Sequence, residues 1–176
     1  MSEVQLTSDS QGGFAYMKDF VDPHFNANDY FKVTTTDLEI KKNAEIINYH
    51  AHVYYTLETK EHAKLLYQRI AERFSVQLGM MYDFAAGPHK FPQFEAAFNI
   101  AEFPKFIPWL LLNHIGLSIL VHTNTHHPRD DHLKTCFWIG KQLPLHGEKI
   151  PGLLSLVTDN PPPPIYVNTI PTINDI

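Results

Sequence analysis

The chain has 176 residues, 44% of them apolar and 19% charged, with a formal net charge of −5. That length suits one domain with tails. The acidic balance argues against nucleic-acid binding, and the lack of an apolar run of about 18 residues argues against a membrane span.

The polar start Met1-Ser2-Glu3-Val4 does not read as a signal peptide, and a lone Cys136 predicts no internal disulfide and a reducing, cytoplasmic setting. Residues 1–40 predict an extended arm, since Gly12-Gly13, Pro23 and Asn26-Ala27-Asn28 interrupt any period. Its Phe14, Tyr16, Phe20, Phe25, Tyr30 and Phe31 suit packing on the domain or on a second subunit. Asn48 to Tyr55 then alternates as a strand. Tyr49, Ala51, Val53 and Tyr55 take one face; Asn48, His50, His52 and Tyr54 take the other. Thr59 can cap a helix whose apolar stripe is Ala63, Leu66, Ile70 and Phe74, with Gly79 as its C-terminal stop.

Met80 to Phe84 reads as a short strand and Gly87-Pro88 as a turn. Phe91 to Ile100 is a clearer strand, with Phe94, Ala96 and Phe98 opposite Gln93, Glu95 and Asn99. Pro104 opens a short helix in which Trp109 to Leu112 form core, and Gly116 stops it. Leu117 to His122 is the next strand, Thr123 to Pro128 a polar loop, and Asp130 caps a last helix with Leu133, Cys136 and Phe137 inside, ending at Gly140. From residue 146 the chain is a Pro-rich tail, and Pro161-Pro162-Pro163-Pro164 reads as polyproline II that could lie on the domain or on a neighbouring subunit.

The order β-α-β-β-α-β over 41–145 predicts a ferredoxin-like α+β domain with helices on one sheet face. The first strand would be central, flanked by a parallel third strand and an antiparallel fourth. The apolar faces would lie under the helices. His50, His52, Gln93, Glu95 and His122 would share the uncovered face. The turn carrying His89 would fall at the same sheet end as His50, and His132 would fold back over it.

Taken singly, each histidine is more simply a hydrogen-bonded structural residue. Their convergence from separate stretches favours a metal site. His50, His52, His89, His122 and His132 are the candidate ligands and acid–base groups, with Glu95 as a carboxylate partner. Imidazoles with an optional carboxylate suit Fe(II) or Zn(II), leaving oxygen chemistry and hydrolysis both open. His126 and His127 read as solvated or part of a lid, and His24, His62, His114 and His146 as solvated or structural. Cys136 reads as a buried apolar residue.

Six stretches in this order, Tyr49-His50-Ala51-His52-Val53-Tyr54-Tyr55, Gly87-Pro88-His89, Phe91 to Phe98, Leu120 to Thr125, Asp131-His132 and Trp138-Ile139-Gly140, resemble the DOPA 4,5-dioxygenase family. The resemblance covers roughly residues 45–145, with the family's histidines matched at His50, His52, His89, His122 and His132. It implies a ferredoxin-like homodimer that uses non-haem Fe(II) and O2 for extradiol cleavage of a small aromatic diol such as L-DOPA. On the mechanism so implied, the metal falls to His50, His52 and His122, the most rigidly held, with Glu95 beside them, and acid–base work to His89 and His132. The chain departs from the family in having His122-Thr123 where His-Pro is usual, which leaves φ unfixed there. The alternatives are a metal-dependent hydrolase or isomerase on the same histidines, and a non-catalytic dimeric binding module.

Overall fold

The structure is a computed structural model that describes residues 20–153 and 165–175. Its elements are α1 (Ala27–Tyr30), β1 (Asn48–Tyr54), α2 (Lys60–Arg73), β2 (Gln77–Leu78), β3 (Gln93–Phe98), α3 (Phe103–Asn113), β4 (Ser118–Asn124), α4 (Pro128–Leu133) and β5 (Cys136–Ile139). The glycines and aromatics of residues 1–19 and the four-proline run lie outside the described residues. No described helix is long and apolar enough to cross a membrane.

The sheet is antiparallel, in the order β2-β3-β1-β4-β5. The ferredoxin-like α+β core is therefore present, with β1 central as predicted and one extra strand at the β4 edge. The predicted direction of the third strand is wrong. Tyr54 pairs with Gln93 and Tyr49 with Phe98, so β3 runs antiparallel to β1. Face alternation is the same in either direction, so the sequence pattern could not separate them.

Four further boundaries move. Cys136-Phe137-Trp138-Ile139 forms β5 rather than the end of a helix. The spacing of Leu133, Cys136 and Phe137 mimics a helical stripe, but aromatic and β-branched residues in a short run favour an edge strand. The last helix begins at Pro128, after His127, with Asp130 already in its first turn. Helix α2 stops at Arg73, where Phe74 turns extended, well before Gly79. The predicted strand at Met80–Phe84 reduces to one bridge, Tyr82 to Gln93, with β2 lying earlier. Gly140 closes the β5 end with φ of 77°, and a Cβ there would meet the Leu117 carbonyl oxygen at 2.9 Å.

Ala51, Val53, Phe94, Phe98, Ile119 and Val121 face Leu66, Ile70, Phe106 and Leu110 of α2 and α3 in one core. Of the Trp109 to Leu112 run only Leu110 is fully buried; Leu111 and Leu112 point to solvent. The second sheet face is not bare. Helix α4, the turn through His89 and the segment after Leu145 cover it, tied by the bridge His89–Leu145 and by bonds from His146 N to Pro88 O and Arg129 N to Pro151 O. Residues 165–175 run extended past the β2 edge. Asn168 brackets Leu78 with its side-chain amide, Thr169 bonds Phe74 O and Val76 O, and Thr172 N reaches Glu72 O.

Candidate metal centre

Strand alternation sends His50 and His52 to the α4 side of β1, and the register sets His122 directly beside His50 and Glu95 beside His52. The predicted common face is therefore real. The predicted openness is not, since His50, His52, His89, His122 and His132 are all at most 4% exposed. Glu95 is the group of the set that reaches solvent, with a quarter of its side chain exposed.

His89 arrives differently from the prediction. It enters from the Tyr54 end of β1, opposite the end where His50 meets His122, because β3 is reversed. Its ring nevertheless folds over His52, with centroids 4.1 Å apart. His132 reaches in from α4 and lies against His122, with centroids 4.0 Å apart and the ring planes tilted. Two overlapping triads result, His50/His52/His122 and His52/His89/His132, each with its donor atoms within 4.8 Å of one another.

The hydrogen bonds fix where the ring protons sit. His122 Nδ1 donates to the Thr123 carbonyl and His132 Nδ1 to the Pro128 carbonyl at 2.8 Å, so each ring keeps a lone pair on Nε2. His52 Nδ1 donates to Gln93 Oε1 at 3.3 Å. Its Nε2 then confronts His122 Nε2 at 3.1 Å, lone pair against lone pair. Two nitrogens each about 2.1 Å from one ion at right angles would stand about 3.0 Å apart. His50 Nδ1 is buried without a hydrogen bond, although Glu95 Oε2 lies 3.4 Å away at an unfavourable angle. That carboxylate oxygen is 3.7 Å from His52 Nε2. An imidazole–carboxylate set with facing lone pairs and one orphaned nitrogen fits a bound cation.

Electrostatics agree. Burial holds the imidazoles of His52, His89 and His122 well below their ordinary range, and the neighbouring rings push the same way. Burial brings His132 down to about 4, against the pull of the Pro128 carbonyl. Neutral imidazoles are the form that binds metals.

Other histidines stand apart, as expected. His24, His62 and His127 are exposed and His126 is half-buried. His114 bonds the Leu117 carbonyl and His146 bonds Glu148. Cys136 is half-buried on edge strand β5, not sealed in a helix face, and its thiol contacts the His132 carbonyl at 3.1 Å.

Two contributors were not assigned from sequence. The Tyr54 hydroxyl lies 2.7 Å from His89 Nδ1; its signal was its place on the His50/His52 face. Asp131, 1% exposed, accepts from Thr123 Oγ1 at 2.7 Å and from Thr125 N at 2.9 Å, and so ties the His122 strand end to α4. Thr123, where the family usually has proline, is thus held by hydrogen bonds instead of a ring. Adjacency to His132 was the available signal for Asp131.

Comparison with known proteins places this geometry. The chain is 36% identical over 106 residues to an uncharacterized 21.2 kDa protein of Botryotinia fuckeliana, a match over 53% of this chain and 58% of that protein. A crystal structure from Nostoc punctiforme PCC 73102, provisionally assigned as a dioxygenase, superposes with a TM-score of 0.62 at 37% identity, covering 62% of this chain and 96% of that one. The Dopa 4,5-dioxygenase family model matches residues 49–149, a stretch that contains all five buried histidines and Glu95. The chain belongs to the DOPA 4,5-dioxygenase family.

Proposed function

We propose that the protein is a non-haem Fe(II) extradiol dioxygenase that opens the ring of a catechol such as L-DOPA with O2, and that it works as a cytoplasmic homodimer. In this reading residues 41–145 form the catalytic domain, flanked by the arm of residues 1–40 and the tail of residues 146–176. The observation that carries it is the pair of facing nitrogens, His52 Nε2 and His122 Nε2, 3.1 Å apart, on rings whose far nitrogens are turned to acceptor oxygens.

His50, His52 and His122 would hold the ion, with Glu95 beside them. Fe(II) bound there supplies the means to bring O2 and the diol together. The chain's own groups do the rest. Gln93 and the Thr123 carbonyl aim two of the rings by binding their far nitrogens. His132 stays neutral over the physiological range, and with its proton on Nδ1, at the Pro128 carbonyl, Nε2 is the nitrogen that would accept a proton from a diol hydroxyl. His89 is the second acid–base group. Burial of the five rings keeps bulk water from the reacting atoms, and Glu95 marks the side from which a ligand comes.

The test is anaerobic loading with Fe(II), then L-DOPA and simpler catechols, then air. Stoichiometric O2 uptake with a yellow ring-opened product is expected, and no uptake with any catechol overturns the reading. Metal-dependent turnover without O2 uptake would replace it with a hydrolase or isomerase. Sub-stoichiometric metal with unchanged stability in chelator would replace it with a binding module.

A further inference from the structure

We propose that Tyr54 is a positioning residue that locks His89 into the tautomer carrying its proton on Nε2, making His89 a hydrogen-bond donor beside rings whose backbone partners hold the proton on Nδ1. The inference rests on the dioxygenase reading for its purpose, but not for its geometry.

Tyr54 is the last residue of β1, 3% exposed, and its ring stacks on Trp138 with centroids 5.5 Å apart and planes 24° from parallel. That packing fixes where the hydroxyl points. Among the described residues, its one hydrogen-bond partner is His89 Nδ1, at 2.7 Å. A phenol near neutral pH carries its proton, and a buried hydroxyl that did not donate would leave that proton unpaired. Tyr54 therefore donates and His89 Nδ1 accepts. A neutral imidazole has one proton, so it sits on Nε2, the nitrogen left to face His52 and His132.

The contrast with the neighbouring rings supports a division of labour. Backbone carbonyls can only accept, so Thr123 and Pro128 force the opposite tautomer on His122 and His132. Three chemically similar rings are thus set in two states by their outer partners. His89 is the one suited to donate to a substrate oxygen instead of ligating a cation, and a catechol oxygen is an acceptor of the kind it would meet.

The experiment uses the full chain loaded with zinc, which is diamagnetic, with 15N-labelled histidine. Long-range 1H–15N correlation reads each ring's tautomer, and His89→Gln assigns the His89 signal. His89 is expected to show an unprotonated Nδ1 and a protonated Nε2, and Tyr54→Phe is expected to mix or invert that pattern while keeping one bound metal per chain. In the Fe(II) enzyme Tyr54→Phe should lower kcat roughly 10-fold with little change in KM. A protonated Nδ1 on His89 in the unaltered protein overturns the proposal whether or not the variant folds. So does a tautomer pattern unmoved by Tyr54→Phe. If the tautomer is as stated and no catechol is turned over, the lock stands and the dioxygenase reading falls.

Discussion

Under α2 and α3 the sheet presents Ala51, Val53, Phe94, Phe98, Ile119 and Val121, each at 0% exposure; on its other side the same strands present His50, His52 and His122 at 4%, 2% and 2%. The two sides are equally dry and chemically opposite. On the first, removing apolar area from water contributes about 25 cal/mol per Å2. On the second, burial desolvates nitrogens that must find partners, and Gln93, Tyr54 and two backbone carbonyls supply only some of them. One side holds the chain folded. The other is kept at some cost to stability, for what it can bind.

His122→Ala should break the comparison most sharply. Metal binding should be lost and turnover should fall by at least about 100-fold. Unfolding of the metal-free chain should shift little, since a desolvated ring leaves with the substitution. Metal titration and urea unfolding on one preparation check both halves; full activity in the variant would remove His122 from the site. Phe98→Ala is the mirror experiment. It should cost 3–5 kcal/mol, roughly, in urea unfolding, with metal stoichiometry intact in the folded fraction. A loss below about 1 kcal/mol would mean that the apolar side is not the one holding the fold.

Acid sharpens the same contrast. His132 has an ordinary value near 6.5 when unfolded and about 4 when folded. Between those values the unfolded chain binds the proton and the folded chain does not, so stability is full above 6.5 and falls as the pH drops towards 4. The shift is worth ~3 kcal/mol, and His52, His89 and His122 add in the same direction. Urea midpoints of the metal-free protein across that range should show the slope, and His132→Gln should lessen it while the other three rings keep the remainder; a flat profile in the unaltered protein would contradict the burial. The smallest effect belongs far from the site. Thr169→Val removes the bonds to Phe74 O and Val76 O and should cost about 1 kcal/mol. Metal affinity should not move, and a change there would couple the tail to the centre.

The strand faces were legible because His50 and His52 sit two apart amid aromatic and β-branched residues, and a period of two admits one sorting of side chains. Glu95 and His122 followed by the same rule on their own strands. What alternation lacks is direction, which is why β3 was read parallel and His89 was assigned to the wrong end of the sheet. Short runs lack a period altogether: four residues from Cys136 fit a helix stripe and a strand equally well. The covering of the histidine side was not legible either. It depends on Arg129 meeting the Ile150 carbonyl and on His146 meeting the Pro88 carbonyl, contacts between separate segments that no local pattern encodes. Tyr54 and Asp131 act through other residues, and partnership of that kind shows only once distant segments are placed together.

The segment from Tyr166 to Ile173 has a consequence for how copies of the chain meet. A sheet margin with vacant amides and carbonyls is a template on which a foreign backbone can grow. Here the margin is only two residues long, and both polar groups of Leu78 are already taken by the side-chain amide of Asn168. A side chain cannot be extended as a strand can, so the margin is terminated rather than merely hidden. That leaves the opposite margin, at β5, as the one described border of the sheet where another backbone could still align.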